Sequence, residues 1–494
     1  MLFNTAGFAV FFLAVWAGWL LLRRWPRVRL VGLLCASLYF YARWDWRYLF
    51  LLLGVTAVDW ALGWQMERTS GPRARKGLVA VAVIVNLGVL GLWKYGDLVL
   101  DTLRPIAASL PFAVPEPLHW VLPVGISFYT FQGLGYVVDV YRRKHAAFSQ
   151  PWKFALAKAF FPQLVAGPIV RPSDLVPQFD APKPLDDARL GRGLALILGG
   201  LVKKAAADFL AAGIVDRVFD LPEQYSTAET LAAIYGYGFQ IYGDFSGYTD
   251  VAIGTALLLG FDLPTNFDHP YRSTSLREFW RRWHISLSSW LRDYLYLPLG
   301  GSRGGFWSTQ RNLVLTMVLG GLWHGANWTF VAWGALHGAG LVVERVVGEV
   351  VGKLGAAFGR NTPARPAASP PEQATAKASP SSLLGTVVRW FVTFHVVLAL
   401  WVFFRADTFD AAVAVFAQLV RGWGGGAENV TPSLSAVLVV AVALHLLPAR
   451  ARRLVDDAFV RAPAPVQALA VIVAFELLQL LSTGSTQPFI YFQF

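Results

Sequence analysis

The sequence predicts an all-α fold of many helices embedded in a membrane. Three observations carry that reading. Of 494 residues, 55% are hydrophobic and only 15% are charged, whereas soluble globular proteins carry about 25% charged residues. Mean hydropathy is +0.47. Apolar stretches recur from end to end rather than forming one anchor. Residues 1–494 therefore read as a single membrane domain.

In chain order the stretches are Leu2–Leu22, Leu30–Tyr41, Tyr48–Trp64, Leu78–Trp93, Leu194–Val202, Ala228–Tyr242, Val251–Leu263, Leu313–Trp323, Phe330–Val343, Val387–Phe404, Leu434–Leu447 and Val466–Leu481. Several reach the ~20 residues needed to span a bilayer. The shorter ones predict helices that enter partway, break or lie inside the bundle, where protein or a water-filled cavity satisfies the backbone. Leu2–Leu22 has no basic residue before it and no small-x-small site before Arg23. It is expected to stay as a membrane helix rather than to be cleaved as a signal.

The net charge is +12 and the pI about 9.8. In a membrane protein Lys and Arg gather in cytoplasmic loops and fix topology, so no nucleic-acid partner is expected. By that rule Arg23–Arg29 and Arg68–Lys76 are cytoplasmic and the N-terminus lies outside. The single cysteine, Cys35, can form neither an intrachain disulfide nor a thiolate metal cluster. Its apolar neighbours predict burial.

No internal repeat is evident, which weighs against the repeated architectures of transporters. Gly352 to Ser382 is rich in Pro, Ala and Ser and is expected to be a disordered loop. Arg421–Ser433, with Gly424-Gly425-Gly426, reads as a surface loop. Between Thr265 and Arg311 the run from Tyr271 to Tyr296 mixes Arg with Trp, Tyr and Leu at helical spacing. Ser275 can cap it, with Glu278 as the other half of a capping box. Phe279, Trp283, Leu287, Trp290, Leu291 and Tyr294 fall near one face, and Arg277, Arg281, Ser288 and Arg292 near another. That pattern predicts an amphipathic helix at the membrane interface, with or without chemistry of its own.

Of eight histidines, His324 stands out by its setting, Leu319-Gly-Gly-Leu-Trp-His-Gly-Ala-Asn-Trp-Thr-Phe. It lies centrally in an apolar span, Leu313 to Val343, too long for one simple crossing. Gly320, Gly321 and Gly325 mark a break or a close backbone approach. An ionisable group at membrane depth is costly and points to function, although a lone buried histidine is usually a satisfied structural group. No metal-ligand spacing accompanies it, and there is no Gly-x-Ser-x-Gly elbow: Gly243-Asp-Phe-Ser-Gly places Ser246 one position late. By elimination the reactive side chain is an imidazole acting as general base.

The chain resembles the membrane-bound O-acyltransferases, in particular their bacterial alginate O-acetylase-like branch. The resemblance runs nearly end to end. It is carried by Leu122-Pro-Val-Gly-Ile-Ser-Phe-Tyr-Thr-Phe-Gln, Val138-Asp-Val-Tyr-Arg, Phe161-Pro-Gln-Leu-Val-Ala-Gly-Pro-Ile-Val-Arg, Tyr242-Gly-Asp-Phe-Ser-Gly-Tyr-Thr-Asp-Val-Ala-Ile-Gly and Asn266-Phe-Asp-His-Pro-Tyr. It continues through Glu278-Phe-Trp-Arg-Arg-Trp-His-Ile-Ser-Leu-Ser, Trp290-Leu-Arg-Asp-Tyr-Leu-Tyr, Pro298-Leu-Gly-Gly and Gly320-Gly-Leu-Trp-His-Gly-Ala-Asn-Trp-Thr-Phe. Phe404-Arg-Ala and Phe489-Ile-Tyr-Phe-Gln-Phe fit too, and the Pro-rich loop after Arg360 is where the chain departs most.

The resemblance implies a ring of about eleven transmembrane helices, with short or re-entrant ones, around a tunnel open on both faces. It maps the family's near-invariant histidine to His324 and its second histidine to His284. An acyl thioester such as acetyl-CoA would enter from the cytoplasm as donor substrate, with no bound cofactor and no metal. The acceptor would be an exported polysaccharide, reached directly or through an extracytoplasmic SGNH-type acetyltransferase partner. The setting would be a bacterial inner membrane and its lipid. Arg281, Arg282 and Arg292 would attract the anionic donor at the cytoplasmic mouth, which Asp293 and Tyr294 help organise. Asn327, Trp323 or His284 would stabilise the oxyanion, worth about 3 kcal/mol per well-placed donor. For Asn327, satisfaction of backbone at a helix break is the plainer role. D-alanyl transfer to teichoic acid from a carrier-protein thioester is the nearest alternative, and a glycan transporter using His324 as a proton relay a more distant one.

Overall fold

The computed structural model describes residues 2–107, 120–165, 167–357, 382–481 and 489–490. Among them every regular element is a helix. The first four are α1 (Ala6–Leu21), α2 (Pro26–Asp45), α3 (Arg47–Arg68) and α4 (Pro72–Leu90). A π-helical turn, Gly91–Tyr95, joins α4 to α5 (Gly96–Ala107). Then come α6 (Ile126–Tyr141), α7 (Pro151–Ala159), α8 (Phe161–Leu164), α9 (Pro172–Asp180), α10 (Asp187–Leu210), α11 (Asp216–Asp220) and α12 (Thr227–Leu258). Two short helices, α13 (Leu276–Arg282) and α14 (Ile285–Leu291), precede the hairpin of α15 (Gly305–His324) and α16 (Trp328–Ala357). The chain closes with α17 (Leu383–Arg405), α18 (Phe409–Arg421), α19 (Pro432–Leu446), α20 (Ala449–Arg461) and α21 (Ala464–Leu481).

The first four helices run up and down. Arg29 of α2 lies 3.5 Å over the Trp19 ring of α1. Ser37 of α2 and Asp59 of α3 both meet the α7–α8 corner, at Phe161 and Lys158, so α2 and α3 fold back on each other. Asn86 of α4 returns to Asp59 at 2.7 Å. The basic turns Arg23–Arg29 and Arg68–Lys76 therefore lie at the same end of the bundle, as the charge rule requires of two loops on one side. Arg75 is buried there, its guanidinium donating to Met66 O at 2.5 Å and to Val140 O at 3.1 Å.

Among the described residues five helices are long and apolar enough to cross a membrane, Ala6–Arg24, Arg47–Arg68, Pro72–Ile106, Trp328–Val351 and Leu383–Arg405, and the pair α19–α20, bent by 99°, has the length and composition of a broken span or a re-entrant loop. The remaining long helices carry polar groups buried inside the bundle. In α6 almost every residue is buried, Thr130, Gln132 and Asp139 included. The stretches Ala228–Tyr242 and Val251–Leu263 largely share one 32-residue helix, α12. It packs on α10 backbone to backbone: a Cβ at Gly200 would sit 2.5 Å from Gly247 O, and one at Gly254 2.6 Å from Gly193 O. Such small-residue contacts let helices approach without a hydrophobic driving force between them. One large core cluster runs from Phe3 to Ile490.

Several expectations need correction. Cys35 is exposed, not buried; the inner face of α2 carries Leu30, Leu33, Ser37, Phe40 and Tyr41, and Cys35 lies off that stripe. In the segment 352–382, residues 352–357 continue α16, since the first proline comes only at Pro363. Residues 358–381 lie outside the described residues, as do His119 and Tyr491–Phe494 of the C-terminal motif. The interfacial helix from Ser275 to Tyr296 is not one helix. It breaks at Trp283–His284 and ends in a π turn, Arg292–Tyr296. Its aromatic face turns into protein, with Phe279 1% and Trp283 0% exposed. Ser275 Oγ does accept from Glu278 N at 3.1 Å, but the Glu278 carboxylate takes Thr274 N and Oγ1 instead of closing the box on Ser275.

Candidate active site

The α15–α16 hairpin sets the position of His324. Its glycines bring two backbones together: a Cβ on Gly321 would overlap the Phe330 carbonyl oxygen, and one on Gly334 the Met317 carbonyl oxygen. Gly325 is extended (φ −157°, ψ 151°) and ends α15 immediately after His324. Asn327 then starts α16, its Oδ1 accepting from Thr329 N at 3.0 Å while its Nδ2 donates to Asp407 O at 2.7 Å. Both ends of that amide are spent on the break, the plainer of its two expected roles.

His324 is buried at 2% exposure. Its ring lies 5.0 Å from Trp323, 5.2 Å from Trp333 and 5.2 Å from Phe404. The second histidine is close by, with ring centroids of His284 and His324 6.4 Å apart. His284 is wholly buried and sits at φ 43°, ψ 56°, a left-handed conformation in the break between α13 and α14. Strain of that kind, about 1–3 kcal/mol for a non-glycine residue, persists only where surroundings enforce it.

The enforcing group is Asn266. Its Oδ1 accepts from Ser286 N at 3.1 Å and Ser286 Oγ at 2.8 Å, and lies 3.2 Å from His284 Nδ1. Since the Ser286 amide can only donate, the oxygen is fixed as the acceptor and Nδ1 must carry hydrogen. A neutral His284 then keeps its lone pair on Nε2, which has no hydrogen-bond partner among the described residues. Ser286 Oγ also accepts from Ile169 N at 3.0 Å, and Phe245 packs edge-on against His284 at 4.7 Å. Four sequence blocks, around Ile169, Phe245, Asn266 and His284, thus converge on one imidazole.

The other expected residues separate into two further groups. Trp323 stays with the histidines and leads outward through an aromatic chain: Trp323–Phe131 at 5.5 Å, Phe131–Trp290 stacked at 3.7 Å, Trp290–Tyr294 at 5.1 Å. At its end the Tyr294 hydroxyl donates to Asp139 at 2.5 Å. Asp293 pairs with Arg292 at 2.7 Å and with Arg171. Burial pushes the Asp293 carboxyl up, but hydrogen bonds from Arg292 and Arg171 outweigh it and hold it below the ordinary carboxylate range. Arg142, Lys144 and Arg171 surround the Tyr294 ring at 5.3–5.7 Å. This group lies at the basic end of the bundle, where Arg75 binds the C-terminal carbonyls of α6. Arg282 is elsewhere, paired with Glu278 at 3.0 Å and Asp268 at 3.1 Å, and Arg281 is exposed beside it.

Sequence reasoning passed over Lys94, Asn266 and Arg171. Lys94 Nζ donates to Trp323 O at 2.7 Å and His324 O at 2.9 Å; its one signal was a cation directly after the apolar stretch that ends at Trp93. His337 is a third buried imidazole, 4.8 Å from Trp333, accepting at Nδ1 from Trp280 Nε1 at 3.4 Å. No group of three or more His, Cys, Asp or Glu converges as a metal site among the described residues.

Residues 150–365, which contain both histidines, match the MBOAT, membrane-bound O-acyltransferase family. A probable alginate O-acetylase of Pseudomonas aeruginosa is 40% identical over 83% of this chain and 73% of its own. A probable alginate O-acetylase of Azotobacter vinelandii is 39% identical over 85% of this chain and 78% of its own. A peptidoglycan O-acetyltransferase of Helicobacter pylori is 34% identical over 85% of this chain and 80% of its own. With relatives of this closeness along most of its length, a helical multi-pass architecture and paired buried histidines at its centre, the chain belongs to the membrane-bound O-acyltransferase family and is an O-acyltransferase.

Proposed function

We propose that the protein moves an acetyl group from a cytoplasmic thioester to a hydroxyl of an exported polysaccharide, with His324 as general base. The observation that carries this reading is the pairing of His324 with His284, both buried, 6.4 Å apart. The acceptor class comes from the relatives, whose names refer to alginate and peptidoglycan. In the proposed step the hydroxyl oxygen attacks the thioester carbonyl carbon while neutral His324 takes the hydroxyl proton. A C–O bond forms, the C–S bond breaks, and the imidazolium returns its proton to the departing sulfur. General-base assistance of this kind contributes about 100- to 10,000-fold.

The geometry refines the supporting roles. Neutral His284 offers an acceptor at Nε2, which suits it to orient the attacking hydroxyl rather than to donate to an oxyanion. Asn327 has committed its amide to the helix break, which leaves the Trp323 indole as the better oxyanion donor of the three expected. Arg142, Lys144, Arg171 and Arg292, gathered around Tyr294 and Asp293, suit an anionic thioester arriving from the basic end. Arg281 and Arg282 lie apart from that group.

In this reading the basic turns face the cytoplasm of a bacterial inner membrane, and the N-terminus lies outside. The acetyl group either reaches the glycan directly or passes through an extracytoplasmic SGNH-type acetyltransferase. The test is His324→Ala in cells that make the glycan. Base-labile acetate should vanish from the polysaccharide while the protein stays folded and abundant in the membrane; retained acetylation rejects the assignment. If mild base releases D-alanine instead, the D-alanyl reading replaces the acetyl one.

A further inference from the structure

The end of α15 is capped by another helix, and the capping residues are consecutive. An α-helix leaves its last four carbonyls without intrahelical partners. Here Tyr95 OH donates to Leu322 O at 2.8 Å, and Lys94 Nζ donates to Trp323 O at 2.7 Å and His324 O at 2.9 Å. Both donors come from one π-helical turn, Gly91–Tyr95, set inside the long apolar helical run Pro72–Ile106. Insertions of that kind are rare and cluster at functional sites. This one places two neighbouring side chains, which would diverge on a regular helix, against the same helix end.

An ammonium within an apolar helix is costly, and such groups mark function by default. Its position also has a physical rationale. A cation is favoured at the C-terminal end of a helix dipole, and α15 ends at the residue whose imidazole must be placed. Past His324 the chain runs extended through Gly325, so α15 itself offers no further turn to hold that residue. Lys94 supplies the missing anchor from outside.

We propose that Lys94, with Tyr95, is a positioning residue for the acyl transfer: the π turn fixes the main chain of His324 and so the placement of its imidazole relative to the two substrates. This rests on His324 being the general base. Displacement of a reacting group by about 1 Å from a remote change can cost about a hundredfold in rate.

The test follows the rate of base-labile acyl ester formation on the cell's polysaccharide, per folded protein in the membrane, in a strain carrying only the variant gene. Lys94→Met should lower that rate about a hundredfold. Lys94→Arg, which keeps a cation able to reach both carbonyls, should recover most of it, and Tyr95→Phe should fall in between. A wild-type rate in Lys94→Met overturns the proposal. So does a loss that Lys94→Arg does not recover while Tyr95→Phe is wild type, since that assigns the effect to packing. Should Lys94→Met fail to fold, Tyr95→Phe decides alone: a lowered rate supports the proposal and a wild-type rate overturns it. His324→Ala run alongside separates the two claims. If it keeps activity, the general-base reading fails; if it is dead and Lys94→Met transfers at the wild-type rate, only the positioning role fails.

Discussion

His284 and Asn266 are both fully buried, and the Nδ1 of one lies 3.2 Å from the Oδ1 of the other. That single oxygen also takes the backbone and hydroxyl hydrogens of Ser286. It thereby holds a left-handed residue, fixes its tautomer, and ties the loop at 266 to the start of α14.

Replacing Asn266 by leucine removes the acceptor for three donors at once. Each buried donor left unpaired costs about 1–3 kcal/mol, so Asn266→Leu should destabilise the protein. Among molecules that remain folded, the transfer rate should fall by about tenfold or more, because the His284 ring and its tautomer are released. Asn266→Asp keeps the oxygen acceptor and should be milder on folding. The comparison is thermal unfolding of the purified protein together with ester formation per folded molecule. A normal rate in folded Asn266→Leu would show that this bond has no part in catalysis.

How far the sequence speaks for this centre depends on the residue. His324 was conspicuous because glycines and an apolar run flank it, and its break came where Gly320, Gly321 and Gly325 put it. His284 was known only through resemblance, since its own pattern reads as an amphipathic helix. The structure breaks that helix at His284 itself, and nothing in a 3.6-residue period announces a left-handed residue. Lys94 carries only a faint signal for a related reason: its meaning lies in carbonyls more than 200 positions away. The helix α6 is not legible as an apolar stretch because Thr130, Gln132 and Asp139 interrupt its hydropathy, yet all three are buried inside the bundle rather than exposed. Hydropathy reads lipid-facing helices well and buried polar ones poorly.

The α15–α16 hairpin tolerates no added carbon at its crossing. A Cβ on Gly321 or Gly334 would strike a carbonyl oxygen of the opposite helix, and backbone cannot swing aside as a side chain does. Overpacking a tight core costs about 1–3 kcal/mol. Gly321→Ala and Gly334→Ala should each lower thermal stability and splay the hairpin that presents His324. Gly348→Ala, where a Cβ meets nothing within 4 Å, serves as the control and should be no less stable than the parent, since alanine is the better helix former. Thermal unfolding of the three purified variants checks this, and wild-type stability of Gly321→Ala would contradict the contact.

The most deeply buried charges outside this centre are Asp59 of α3 and Lys158 of α7, 2.6 Å apart with both side chains 0% exposed. Asn86 of α4 donates to the other carboxylate oxygen at 2.7 Å, and Gly133 of α6 leaves room for it, since a Cβ there would overlap Asp59. Four helices therefore meet on one ion pair. Removing one member of a buried pair strands the other and costs about 3–5 kcal/mol, whereas replacing both by neutral groups of similar size is often nearly free. Asp59→Asn and Lys158→Met should each reduce the amount of folded protein sharply. The double variant should recover most of it, since no charge is then left uncompensated. Folded yield and unfolding midpoint across the four proteins form a double-mutant cycle. If the double variant is as impaired as the sum of the singles, the two charges do not depend on each other and the ion pair is not what joins these helices.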